Sequence, residues 1–249
     1  MQGFTLTLKE VRDVADGTRL FIFDKPEGYT FTAGQYVALE VPKIEGIEID
    51  KRGLIRSLSI SSAPCESELY FSMRRSMSSF KQVCWAMTPG MTVVITKAVG
   101  FFTVLKEDNR PIVFLVGGIG ITPVRSILKQ AEYEKSQRSF TLLYANRFTK
   151  DATFDEEIQN IALDHLRYVT VLSKSTDACA KENDERGYIC ADILKKYIED
   201  IPNCLYYIVG SPYFSEAIEK MLVDLGVSKE NRHMDPFTGI QATTVEEGK

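Results

Sequence analysis

The sequence predicts two domains: an antiparallel β-barrel over residues 1–107, then an α/β unit with a parallel sheet over 110–240, and a short tail at 241–249. Three observations carry this. Short apolar stretches broken by turn residues fill the first hundred positions, strands and helices alternate from Arg110 onward, and the apolar run 112–116 breaks into Gly117-Gly118-Ile119-Gly120 ahead of Thr122-Pro123. Closely spaced strands indicate a barrel or sandwich. Alternation with helices indicates a parallel sheet covered on both faces.

In the first part, strands are read at 4–8, 20–23, 36–41, 69–73 and 92–96, separated by Asp16-Gly17, Pro26-Glu27-Gly28, Ala33-Gly34 and Pro89-Gly90. One helix, 78–87, opens on serines and is stopped by Thr88-Pro89-Gly90. Serine accepts from free N–H groups at a helix start, and proline with glycine cannot continue a helix. In the second part, strands are read at 112–116, 140–144, 167–172 and 205–209, and helices at 123–136, 154–162, 190–198 and 213–225. The polar run Lys106 to Arg110 is the natural joint.

The formal charge of −4 argues against a nucleic-acid partner, which a basic excess would signal. Five cysteines, at 65, 84, 179, 190 and 204, share no metal-binding or iron–sulfur spacing and read as reduced, mostly buried thiols. No metal site is expected. Neither a signal-like start nor a membrane-length apolar run is present in the sequence, so a cytoplasmic protein without a membrane span is expected.

Four segments carry chemistry. The run Arg56-Ser57-Leu58-Ser59-Ile60-Ser61-Ser62 places one cation and four hydroxyls on what reads as a strand, with Arg56, Leu58 and Ile60 on one face and the odd-numbered serines on the other. Arginine can grip a phosphate bidentately. Arg74-Arg75-Ser76-Met77-Ser78-Ser79 sets cations beside a serine-capped helix start, where free N–H groups and the helix dipole favour an anion. The Gly117 to Pro123 segment joins a buried strand to a helix through glycines that allow close backbone approach, as a dinucleotide phosphate requires. Its spacing departs from G-x-G-x-x-G. Gly210-Ser211-Pro212 repeats the strand–helix turn later in the sheet. Each segment by itself also fits a plain strand, cap or turn. His165 and His233 are read as surface or half-buried imidazoles, and Asp151, Asp155, Glu156 and Glu157 as the solvated first turn of a helix.

Taken in order, these segments resemble the ferredoxin–NADP reductase-like superfamily, in which a flavin-binding barrel precedes a nucleotide-binding α/β domain. The likeness runs from about Phe4 to Ile240. Gly34-Gln35-Tyr36 is similar to the family's G-Q-Y strand, Arg56 to Ser62 to its R-x-Y-S-x-x-S/T flavin motif, Ser76 to Ser79 to its second flavin-phosphate segment, and Gly100-Phe101-Phe102 to its G-x-F turn. Gly117 to Pro123 is similar to G-G-x-G-x-T-P, and Tyr144-Ala145-Asn146-Arg147 with Asp151 to a segment meeting the adenosine side of the nucleotide. Gly210 to Pro212 is similar to C-G-P, and Asp235-Pro236-Phe237 to an acid-x-aromatic terminus beside the flavin. Leu58 stands where the family has tyrosine, and Val209 where it has cysteine.

The resemblance implies hydride transfer from NADH or NADPH to a bound flavin, FAD in preference to FMN, with onward delivery to an external acceptor. Ser59, Thr122 and Phe237 are the residues it puts at the reacting centre. It implies flavin contacts from Arg56, Ser57, Leu58, Ser59, Arg74, Ser76, Met77, Ser78, Ser79 and Phe237. Nicotinamide-nucleotide contacts are implied for Gly117, Gly118, Gly120, Thr122, Pro123, Asn146, Arg147, Asp151, Gly210, Ser211 and Pro212. A free ribose diol suits a carboxylate, Asp151 or Asp177, and a 2′-phosphate suits Lys174; the likeness of Tyr144 to Asp151 to the segment of NADH-using relatives implies NADH. A subunit of a multicomponent oxygenase or other redox complex, and a flavin- or nucleotide-binding module without catalysis, are the competing readings.

Overall fold

A computed structural model describes residues 3–105, 107–174, 179–182 and 184–236. The first part holds β1 (Phe4–Ala15), β2 (Thr18–Asp24), β3 (Tyr36–Glu40), β4 (Ile55–Ser59), β5 (Glu68–Arg74), α1 (Ser79–Ala86) and β6 (Thr92–Ile95). Its sheet runs β4-β3-β6-β1-β2-β5, antiparallel throughout. Just past β4, the Ser61 N–H donates to the Tyr70 carbonyl of β5 at 2.8 Å, joining the two ends of the sheet into a barrel.

Inward positions recur every second residue: Leu6 and Leu8, Phe21 and Phe23, Val37 and Leu39, Leu69 and Phe71, Val93 and Ile95. Phe80 and Val83 of α1 pack into the same core. The first strand is longer than its apolar stretch predicts. Beyond Leu8 it carries Lys9, Glu10, Arg12 and Asp13, and it persists because its backbone pairs with β2 through two register shifts while those side chains face solvent.

The second part holds β7 (Ile112–Gly117), α2 (Ile121–Tyr133), β8 (Phe140–Asn146), α3 (Asp155–Gln159), β9 (Leu166–Leu172), β10 (Glu185–Arg186), α4 (Ala191–Tyr197), β11 (Leu205–Gly210), α5 (Pro212–Asp224) and β12 (Arg232–Pro236). All six strands are parallel, in the order β10-β9-β8-β7-β11-β12. Four were expected. The two edge strands are short and polar, and neither has an apolar run to announce it. Along β7 the wholly buried side chains alternate between two cores: Phe114 and Val116 pack beneath α2, Val113 and Leu115 face α4 and α5. Leu20, Ile22, Ala33 and Phe102 of the barrel belong to the α2-side core, so apolar packing continues from one part into the other. Three of the five cysteines, Cys65, Cys179 and Cys190, are exposed, which corrects the expectation of mostly buried thiols. No helix among the described residues is long and apolar enough to cross a membrane.

Candidate functional site

The barrel contributes a cationic edge where β4, β5 and the amino end of α1 converge. Ser78 caps α1, its hydroxyl accepting from the Lys81 N–H, and Ser79 is 1% exposed. Arg56 leaves β4 with its Nη1 donating to the carbonyls of Arg52, Gly53 and Ile55, while its guanidinium lies 5.5 Å over the Phe80 ring. Burial pulls the pKa of Arg56 below its ordinary value, and burial does the same to Lys81, which also feels Arg74 and Arg56. Three buried polar atoms here have no hydrogen-bond partner: Arg56 Nη2, Arg74 Nε and Ser79 Oγ. Clustered cations with unspent donors at a helix start are the donor set a phosphate requires. On the same edge Ser59 is buried and Leu58 half-buried, while Ser57, Ser76 and Met77 are exposed.

The α/β part contributes a site made of backbone. Gly118 has φ +52° and turns the chain from β7 into a 3-10 turn, Gly118–Gly120, that runs directly into α2. A Cβ on Gly120 would stand 2.7 Å from the Val209 carbonyl oxygen, so only glycine lets this turn rest on the end of β11. Thr122 is buried and donates to the Ile119 carbonyl at 3.2 Å, which fixes the turn, and Pro123 lies in the first turn of α2. Ser211 caps α5 by accepting from the Phe214 N–H, with Pro212 behind it. The Phe214 ring packs against both Gly117 and Gly210. Nothing in the sequence marks Phe214 beyond its place four residues after Gly210. Val209 is wholly buried in the core.

A polar clamp holds the two edges together. Arg125 of α2 is 3% exposed and donates to the Ser61 carbonyl at 2.8 Å, to Glu66 of the barrel, and to Glu157 of α3. Burial opposes the Arg125 charge, but the bonds to Glu66 and Glu157 outweigh it and hold its pKa above the ordinary value. Ser126 donates to the Ser62 carbonyl at 2.6 Å. The clamp escaped the sequence reading, although an arginine within the buried stripe Ile121, Val124 and Leu128 is a visible signal.

The acidic group at 151–157 is a correction. Asp151 is buried, its carboxylate accepting from Arg147 Nε at 3.3 Å and its carbonyl accepting from Arg74. Glu157 pairs with Arg125, and Asp155 accepts from Tyr168. Only Glu156 matches the expected solvated turn. Beside them Asn146 is buried with both amide atoms unpartnered at the carboxyl edge of β8, while Arg147 is exposed. Lys174 follows β9; Asp177 and Phe237 lie outside the described residues. His233 stacks on Tyr207 at 4.6 Å, half-buried, and His165 is exposed.

With this geometry in place, residues 114–220 match the oxidoreductase NAD-binding domain family. The chain is 33% identical to one subunit of the Na(+)-translocating NADH-quinone reductase of Klebsiella pneumoniae over 169 residues, covering 66% of this chain and 40% of that protein. It is 24% identical to a flavohemoprotein of Oceanobacillus iheyensis over 242 residues, covering 92% of this chain and 57% of that protein. The chain therefore spans well under two thirds of these relatives. Its fold is that of the FAD/NAD-binding domain of nitric oxide dioxygenase from Vibrio cholerae (TM-score 0.80, 24% identity, 95% and 99% of the two chains) and of ferredoxin NADP+ reductase from Neisseria gonorrhoeae (TM-score 0.80, 21% identity, the same coverage). Residues 114–220 therefore carry an oxidoreductase NAD-binding domain, within a chain that shares the two-domain fold of these reductases.

Proposed function

We propose that the protein is an NAD(P)H-dependent flavin reductase: it moves hydride from a nicotinamide nucleotide to FAD held on the barrel, and the electrons pass to an acceptor outside this chain. The supporting observation is the clamp. Arg125 and Ser126, just past the glycine turn, grip the Ser61 and Ser62 carbonyls just past Ser59, so the helix that follows the glycine turn is tied to the barrel beside β4. Bound flavin supplies the hydride acceptor and the outlet for single electrons.

The chain's own residues do the rest. Arg56, Arg74 and Ser79 hold the flavin phosphates with buried atoms that have no hydrogen-bond partner, and Ser78 caps the helix start beside them. Ser59 presents a buried hydroxyl to the ring, and Leu58 gives it an apolar face. Gly118, with open space where a Cβ would stand, leaves bare backbone for the nucleotide, Gly117 and Gly120 hold the turn tight against Phe214 and the end of β11, and Asn146 offers a buried amide. Thr122 and Pro123 set the shape of the turn, and Gly210 to Pro212 form the neighbouring one. NADH is the donor we favour, with Asp151 keeping Arg147 engaged and away from a 2′-phosphate.

The match to part of a quinone reductase supports a second reading of the acceptor, in which this chain works within a larger redox complex. Titrating the purified protein with FAD, FMN and riboflavin tests the flavin assignment. Arg56→Ala should weaken FAD by about 10- to 100-fold, the loss expected for a charge-assisted phosphate contact. Unchanged FAD affinity would remove Arg56 from the site.

A further inference from the structure

The anion site at the amino end of α1 already holds a carboxylate, and the chain supplies it. Asp50 lies in the connection from β3 to β4, within residues 41–54. Its Oδ2 accepts from the Ser79 N–H at 2.9 Å, and its Oδ1 stands 3.6 Å from Arg56 Nη2. The Ser79 N–H, first among several contacts, holds the Asp50 carboxyl below its usual range. The buried Ser79 hydroxyl has no hydrogen-bond partner beside this contact, and Arg56 Nη2 has only the 3.6 Å ion pair with Asp50. Lys81 and Arg74 extend the positive field around them. One acidic side chain thus sits on a surface built for more negative charge than it brings.

We propose that Asp50 is a resident competitor for the flavin diphosphate: it occupies the Ser79 N–H and faces Arg56 until the phosphate displaces it, and so it sets how tightly flavin is retained. The inference rests on the flavin reading above. A single N–H and a single guanidinium nitrogen cannot serve two anions at once, and two anions brought together there repel. The loop is tied down at this point by the Arg52 N–H, which donates to Asp50 Oδ1 at 2.8 Å, and by the Gly53 N–H, which donates to the Asp50 carbonyl at 2.9 Å. The carboxylate itself is a third exposed.

Asp50→Asn tests this, because it removes the charge and keeps an acceptor for the Arg52 N–H. Measured by flavin fluorescence, the variant should bind FAD about tenfold more tightly than the unmodified chain, the size of one charge-assisted hydrogen bond regained. It should bind riboflavin, which has no phosphate, with unchanged affinity. Equal FAD affinity in the two proteins, or an equal gain for riboflavin, would overturn the role of Asp50 and leave the flavin reading standing. Failure of both proteins to bind FAD would overturn both. The unmodified chain gives an independent readout: FAD should speed amide exchange at Arg52 and Gly53 as the loop lets go, and slower exchange there would contradict displacement.

Discussion

The barrel edge is built from what side chains add, the α/β edge from what they omit. On the barrel, Arg56, Arg74, Lys81 and Ser79 bring charge and unspent donors to one helix start. On the α/β part, Gly117, Gly120 and Gly210 let backbone and the Phe214 ring come closer than any Cβ would permit. A site made of charge can be tuned by a neighbouring group, as Asp50 does. A site made of bare backbone has no such adjustment: a single added carbon meets a carbonyl. The two edges therefore should fail in different ways when altered.

The largest effect should come from the clamp that joins them. Arg125→Met strands Glu66 and Glu157, and loss of one partner from a buried ion network costs about 3 kcal/mol. A fall of that size in urea-unfolding free energy, with weakened NADH binding and little change at the FAD phosphate site, is expected. Gly120→Ala follows. Its methyl would press on the Val209 carbonyl, at an expected cost of about 1–3 kcal/mol and with a raised KM for NADH. A Gly120→Ala protein with normal stability and KM would show that the turn has room to spare, and the contrast between edges would lose its basis.

Asp151→Ala should act through its partner. Freed from the carboxylate, Arg147 gains reach toward a 2′-phosphate, so KM for NADH relative to NADPH should rise about fivefold, a shift of about 1 kcal/mol. Equal changes for both nucleotides would remove the preference assigned to NADH. The smallest effect concerns Asp235 on β12, whose pKa is raised by burial alone. A carboxyl raised in the folded state favours folding at low pH, where it is protonated, and that contribution is lost as pH climbs through the raised value. Asp235→Asn should therefore raise Tm at pH 7, and the gain should vanish on acidification below the ordinary carboxylate range. A gain independent of pH would point to packing instead.

Much of this frame was legible in the residues. The run 112–116 followed by glycines and Thr122-Pro123 announces a buried strand turning into a helix, and the serines before Phe80 announce a cap. Both are local signals, written within a few residues. What stayed hidden depends on contacts between distant positions. Asp50 reaches Ser79 across 29 residues, Arg125 reaches Glu66 across 59, and no local pattern predicts either pairing. Asp151 reads as a solvated helix start because the barrel residues at its side, Arg74 on its own carbonyl and Asp16 on the adjacent Lys150, come from far earlier in the chain. The edge strands β10 and β12 escaped for another reason. A strand held mainly by backbone pairing to a neighbour needs no apolar alternation of its own.

Anaerobic addition of NADH to the FAD-loaded protein is the most direct test of the claim that a flavin on the barrel receives hydride from a nucleotide on the glycine turn. The account predicts that the yellow flavin band bleaches within the first turnover and that Gly120→Ala slows the bleaching. A band that persists under excess NADH and excess NADPH alike would contradict it.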